Sequence, residues 1–268
     1  MIEIFSEPFF WMVLFSGFFV SILFSILSPI VVLRDYAFAG LGITHSIIGG
    51  LGIGLLLGIP PFYSMIIISI IVGLFIGMIS IGGRIRENLA IGILFPFMMA
   101  VGIISIYYSG AYSNSLLSYL FGNILLITKL EFYSLILFTF IVFIWFIISY
   151  RKLLLLSFDL ELAKTMGINT NFHHLLFSLI IALTVALGAK LVGIILVSAL
   201  LVIPGATSLL IAKDFKGLIF LSVIFGIIAT LIGLILSVFL NIPSGASIVV
   251  IQGFVFAIVF GMRKLFVN

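Results

Sequence analysis

Cysteine is absent from this chain. That excludes disulfides and any thiolate metal site. Charge is scarce too, since Lys, Arg, Asp and Glu together make up only 7% of the residues. So few charges cannot cover the surface of a soluble domain. The 3 histidines and 8 acids form no paired carboxylates within an apolar run and no His-x-x-Glu-His spacing. No activated nucleophile lies in such a run either, which argues against a membrane-embedded enzyme. No Gly-x-x-x-x-Gly-Lys-Ser/Thr loop occurs, so the chain cannot hold ATP in the P-loop manner. The first residues, MIEIFSE, are acidic where a signal peptide is basic, and no cleavable leader is expected. No internal repeat is visible, so an inverted-repeat carrier has no support.

What is present is apolar. The chain is 64% hydrophobic with a mean hydropathy of +1.52. Long apolar runs without period-2 alternation predict helices, not a β-barrel. The expected fold is an all-α, polytopic transmembrane bundle forming one domain over residues 1–268. Nine spans are read: 9–33, 36–58, 61–82, 89–108, 132–150, 172–189, 191–212, 217–240 and 246–262. The count falls to eight if two short neighbours are one broken helix. Segment 112–130 is left over as a surface or re-entrant helix.

Orientation follows from the basic residues. With the N-terminus outside and the C-terminus cytoplasmic, the inner loops hold Arg34, Arg84, Arg86, Arg151, Lys152, Lys164, Lys213, Lys216, Arg263 and Lys264. Only Lys129 and Lys190 fall outside. The net charge of +4 therefore reads as a topology signal, with the lipid bilayer as partner and no nucleic acid.

One helix is glycine-rich. Gly42, Ser46, Gly50, Gly54 and Gly58 recur every four residues, which predicts one small-residue stripe. In lipid such a stripe lets a second backbone approach closely, for packing or for gating. His45 sits off that stripe, with Leu41 and Gly49 on its own face. Desolvation favours the neutral imidazole, which is a ligand for zinc or manganese and also an ordinary hydrogen-bonding group. An ionisable side chain inside a membrane points first to a functional path.

The longest polar stretch, RKLLLLSFDLELAKTMGIN, covers 151–169. Ser157 is expected to cap a short helix, with Asp159 and Glu161 in its first turns, Lys164 later and Gly167 as the stop. Such a helix either lies on the lipid surface or docks a cytoplasmic protein. His173 and His174 read as interfacial side chains at a cytoplasmic span end. Lys190 is expected to snorkel to water, and Lys129 with Glu131 to face a partner outside. Pro204 is expected to kink its span and free a carbonyl that a neighbouring helix or water must satisfy, with Ser198 and Thr207 as candidate helpers.

Taken together, six segments resemble the permease subunits of the zinc/manganese/iron ABC importers, the ABC-3 family. PIVVLRDYAFAGLGITHS is similar to the family's basic residue followed by Gly-Asp-x-x-Ser-His-Ala. ENLAIGILF resembles Asp-Thr-Ala-Ile-Gly-Ile, and LLSYLFGNILLIT resembles Leu-Phe-Gly-Asp-Ile-Leu. SFDLELAKTMGI resembles Ser-Phe-Asp-Pro-Glu-x-Ala-x-x-x-Gly. KLVGIILVSALLVIPGATSLLIAK and NIPSGASIVV resemble the Val-Gly-x-Leu-Leu-Val-Ser-Ala-Leu-Leu-Ile-x-Pro and Pro-Ser-Gly-Pro stretches. All six stand in the family's order.

The resemblance implies a transport subunit rather than an enzyme. It implies a homodimer with the conduit between two copies and a separate cytoplasmic ABC ATPase dimer. An extracellular metal-binding lipoprotein or periplasmic binding protein would deliver the cargo. Ser157, Phe158, Asp159, Glu161, Lys164 and Gly167 would form the segment that engages the ATPase. The cargo would be a divalent metal ion, zinc or manganese with iron as a third candidate, passing His45 and Asn123 and never held permanently. The setting would be the cytoplasmic (inner) membrane of a prokaryote.

Two departures bear on the metal. The family's Asp one turn before the His is Leu41 here, and the Asp of Phe-Gly-Asp is Asn123. Asp35 lies ten residues from His45, about 15 Å along a helix, and cannot replace that acid. Cation binding at His45 is therefore expected to be weak, which suits a conduit that must release its ion. The rival readings are an ABC permease for a non-metal cargo and a carrier or channel without an ATPase.

Overall fold

The computed structural model describes residues 8–82, 87–110 and 127–267. Among these residues every regular element is helical. The helices are α1 (Pro8–Leu33), α2 (Ala37–Leu57), α3 (Pro61–Gly82), α4 (Glu87–Ser109) and α5 (Lys129–Phe158), followed by α6 (Leu160–Thr165), α7 (Thr170–Val192), α8 (Ile194–Leu209), α9 (Phe215–Leu240) and α10 (Ser244–Val267). Eight of them are long and apolar enough to cross a membrane, and α8 is a shorter apolar helix. At 16 residues α8 is about 24 Å long against a hydrocarbon core of about 30 Å. The span count of nine thus turns on α8. The all-α membrane fold expected from composition is the fold observed.

The chain's punctuation explains the boundaries. Gly58 takes the left-handed conformation (φ 68°) and donates its N–H to Gly54, ending α2. Pro61 then occupies the first position of α3, where its missing N–H costs nothing. Thr128 and Glu131 cap α5 reciprocally, since each side chain accepts from the other's backbone N–H. Gly193 (φ 88°, ψ 156°) lies in a region that only glycine tolerates, and it turns the chain sharply between α7 and α8. The turn brings Val197 of α8 against Gly188 of α7.

α1 is the central helix. Its Leu23, Phe24, Leu27 and Ile30 are fully buried, and they share a core with Val185 and Ala189 of α7 and Val197 and Leu200 of α8. Small residues bring its neighbours close, because packing must replace a hydrophobic drive between helices in lipid. Ser28 Oγ accepts the Gly205 N–H of α8 at 2.8 Å, and Ser222 of α9 donates to the Ser25 carbonyl at 2.8 Å. By contrast, α4, α5 and α10 are mostly exposed and apolar, facing lipid or a partner.

Candidate functional site

His45 lies on the third turn of α2. Its Nδ1 is 2.9 Å from the Leu41 carbonyl. A carbonyl only accepts, so Nδ1 carries the proton and donates. In the neutral ring the lone pair is then left on Nε2, the tautomer that presents one nitrogen to a ligand. The edge-on ring of Phe95 from α4 stands 4.6 Å away, at 89°. A cavity of about 350 Å³ opens here between α2 and α4. Among the described residues His45 is its single ionisable lining residue, and the others are Phe38, Leu41, Gly42, Ile91, Gly92 and Phe95. Among the described residues no cluster of three or more His, Cys, Asp or Glu could hold a metal. Asn123 lies outside the described residues.

The small-residue row does not stay on one face. Gly42 meets Ile91 of α4, whereas Gly50 and Gly54 meet Ser64 and Met65 of α3. The reason is the 3.6-residue turn: each step of four overshoots by about 40°, so the row winds around the helix. Ser46 bonds back to the Gly42 carbonyl at 2.7 Å, and Gly58 ends the helix in open space. A second set carries the tightest approach to another backbone. A Cβ on Gly52 would lie 2.3 Å from the Gly102 carbonyl oxygen of α4, and one on Gly49 would lie 2.8 Å from the Met98 carbonyl oxygen. Pro204 stands buried inside α8. Ser198 and Thr207 bond the carbonyls of Ile195 and Ile203, so neither serves the Leu200 carbonyl that Pro204 leaves free.

The stretch 151–169 divides differently from its sequence reading. Ser157 is not a cap. It lies in the last turn of α5, where its hydroxyl donates to the Leu153 carbonyl at 2.7 Å. Asp159 is the cap of α6, accepting the Leu162 N–H at 2.9 Å. The reason is that α5 runs on for 30 residues, about 45 Å, so its last turns project beyond a membrane and absorb Ser157. Gly167 (φ 77°) stops the segment as expected. Glu161 and Lys164 pair loosely at 3.8 Å on the exposed side. Ala163 is fully buried, while Phe158, Leu160, Leu162 and Met166 are exposed.

A sequence profile of the ABC 3 transport family matches residues 6–263. The chain belongs to that family. It is 33% identical over 241 residues to the manganese transport system membrane protein MntC of Halalkalibacterium halodurans, covering 90% of this chain and 82% of the relative. It is 34% identical over 230 residues to the manganese import system permease protein ScaB of Streptococcus gordonii, covering 86% and 82%. Its fold matches a chain of PsaBC from Streptococcus pneumoniae, solved in complex with a Fab, with a TM-score of 0.83 and 30% identity over 97% of this chain and 95% of that one.

The ABC-3 fold brings together residues that lie far apart in sequence. Arg34 and His174 are separated by 140 positions, yet Nη2 and Nδ1 are 2.7 Å apart. His174 is buried, not interfacial, because α7 packs its first turns against the α1–α2 link. Tyr36 and Ser178 are joined by a short hydrogen bond in the same place. On the opposite side Lys190 pairs with Glu131 at 2.7 Å and lies 4.2 Å over the Phe62 ring. These charges tie α5, α7 and α3 together, and both side chains remain partly exposed. Local pattern could not reveal such pairs. The one signal was the rarity of the residues, since Arg34 and His174 are polar groups bordering apolar runs.

Proposed function

We propose that the chain is the membrane-spanning permease subunit of an ATP-driven ABC importer for a divalent transition metal ion, manganese first, with zinc and iron as the other candidates. The observation that carries this reading is the likeness, over 86–90% of the chain, to permeases named for manganese transport or import. It makes a non-metal cargo, or a carrier without an ATPase, the weaker reading. The chain works as a homodimer in a prokaryotic inner membrane, with its N-terminus outside. A separate ATPase dimer docks on α6 through the exposed Leu160, Leu162 and Met166. An extracellular binding protein delivers the ion.

His45 is the contact on the path. Its Nε2 lone pair can ligate a divalent ion, and a lone imidazole suits zinc or iron better than the harder manganese ion, so the ranking of manganese rests on the relatives alone. With Leu41 in place of an acid, no charged side chain among the described residues lines the cavity beside His45, so the ion is held briefly and let go. ATP-driven alternation of α2 and α4 then exposes His45 to one side or the other.

The test is uptake into proteoliposomes holding this chain and its ATPase, with the binding protein outside, comparing manganese, zinc and iron. ATP-dependent uptake of manganese, reduced at least about tenfold by His45→Ala, is expected. Manganese uptake untouched by that substitution would remove His45 from the path. A complex that hydrolyses ATP but moves no metal would overturn the reading.

A further inference from the structure

The α1–α2 link is three residues long, and Asp35 within it takes a left-handed conformation (φ 53°). Tyr36 closes the link and starts α2 without any side-chain cap. The link is instead anchored to α7. Arg34 only donates, so His174 Nδ1 accepts its bond and His174 Nε2 carries the ring proton. Ser178 donates to the His174 carbonyl at 3.1 Å, which leaves its oxygen to accept from the Tyr36 hydroxyl. The rings close around these bonds. Arg34 stands 5.3 Å from the Phe177 centroid, and Tyr36 meets the His174 ring edge-on at 5.5 Å. Tyr36, Phe177 and Ser178 are buried.

Arg34, Tyr36 and His174 of this cluster line a cavity of about 480 Å³. The same cavity is lined by Leu156, Phe158, Asp159 and Lys164 of the α5–α6 corner. α6 packs against α7, the helix that carries His174 and Ser178, so a displacement of α6 has a packed route through α7 to the junction where α2 begins. His45 is nine residues further on, about 13 Å up the same helix. Ser178 also sits against Gly77 of α3, where a Cβ would come within 3.0 Å of its hydroxyl, so Tyr36 is held by a serine that is itself wedged. The His174 Nε2–H is buried with no acceptor among the described residues. An unmet buried donor marks an arrangement that a second one can improve on.

From this geometry we propose that Arg34, Tyr36, His174 and Ser178 are the positioning cluster that transmits motion of the α5–α6 corner to α2 and so to His45. The proposal rests on α6 being the ATPase-docking segment. It assigns these four residues to the coupling of ATP hydrolysis to transport, not to ion contact and not to docking.

The experiment measures manganese uptake and ATP hydrolysis together in proteoliposomes containing the whole complex. ATP-driven uptake by the unaltered chain, and loss of ATPase capture with Leu162→Asp on α6, establish the docking reading first. If either fails, that reading fails, and the cluster is not what was tested. Given both, Tyr36→Phe keeps the ring and deletes one oxygen, and Arg34→Lys keeps the charge and loses the planar fork. Ions carried per ATP are expected to fall about five- to tenfold in Tyr36→Phe and further in Arg34→Ala, with hydrolysis within about twofold of normal. Arg34→Lys is expected to restore part of the ratio lost in Arg34→Ala. An unchanged ratio in Tyr36→Phe and Arg34→Ala would overturn the proposal. So would uptake and hydrolysis falling in parallel, which is the mark of a merely structural role.

Discussion

Substituting Gly52 by alanine tests the contact on which the His45 cavity depends. The new methyl would lie 2.3 Å from the Gly102 carbonyl oxygen and 2.8 Å from its Cα, whereas ordinary contact begins at 3.4 Å. Both atoms struck are backbone, so no side-chain rotation relieves the clash, and α2 and α4 must part by about 1 Å. Overpacking of this kind costs about 1–3 kcal/mol, and alanine's helix propensity returns about 0.8–1.0 of it. The net expectation is a destabilisation of up to about 2 kcal/mol. Parting the helices also moves Phe95 away from His45, so uptake falls as well. Thermal unfolding of the detergent-solubilised chain reads the first effect. Gly92→Ala is the control, because a Cβ there meets nothing within 4 Å and should leave stability equal or slightly raised. Gly54→Ala should fall between the two, since its closest contact is the rotatable Ser64 hydroxyl, with the Ser64 Cβ at 2.9 Å left fixed behind it. Equal melting temperatures for Gly52→Ala and Gly92→Ala would refute a backbone-to-backbone contact between α2 and α4.

Two further outcomes are expected. Asp159→Ala removes the cap of α6 and should weaken capture of the ATPase, at a local helix cost of about 1 kcal/mol, while Ser157→Ala should leave capture unchanged. A pull-down of the ATPase by the two variants decides it, and the reverse order would restore Ser157 as the cap. Gln252 is buried beside Pro204, and neither of its amide atoms has a partner among the described residues. Gln252→Met keeps the volume and removes the unmet polar groups, so the variant should melt higher by the equivalent of about 1 kcal/mol. A lower melting temperature would show that the amide is satisfied in the working protein.

The sequence by itself determined whatever depends on local chemistry. Its hydropathy decided helices in a membrane, because lipid leaves backbone groups no other partners. Gly58 before the proline pair and Gly167 after Lys164 ended α2 and the cytoplasmic segment where they were read, since a left-handed turn needs glycine. His45 stood out because an ionisable group in an apolar helix is rare. Tertiary structure alone decided the rest. A four-residue repeat of small side chains cannot say which neighbour each one will meet, and the row divided between α3 and α4 as the helix turned. Ser157 and Asp159 are both competent caps, and the length of α5 chose between them. Arg34 and His174 met because the whole bundle carries α7 to the start of α2. Such a pairing depends on the path of the chain between them, and no local pattern encodes it.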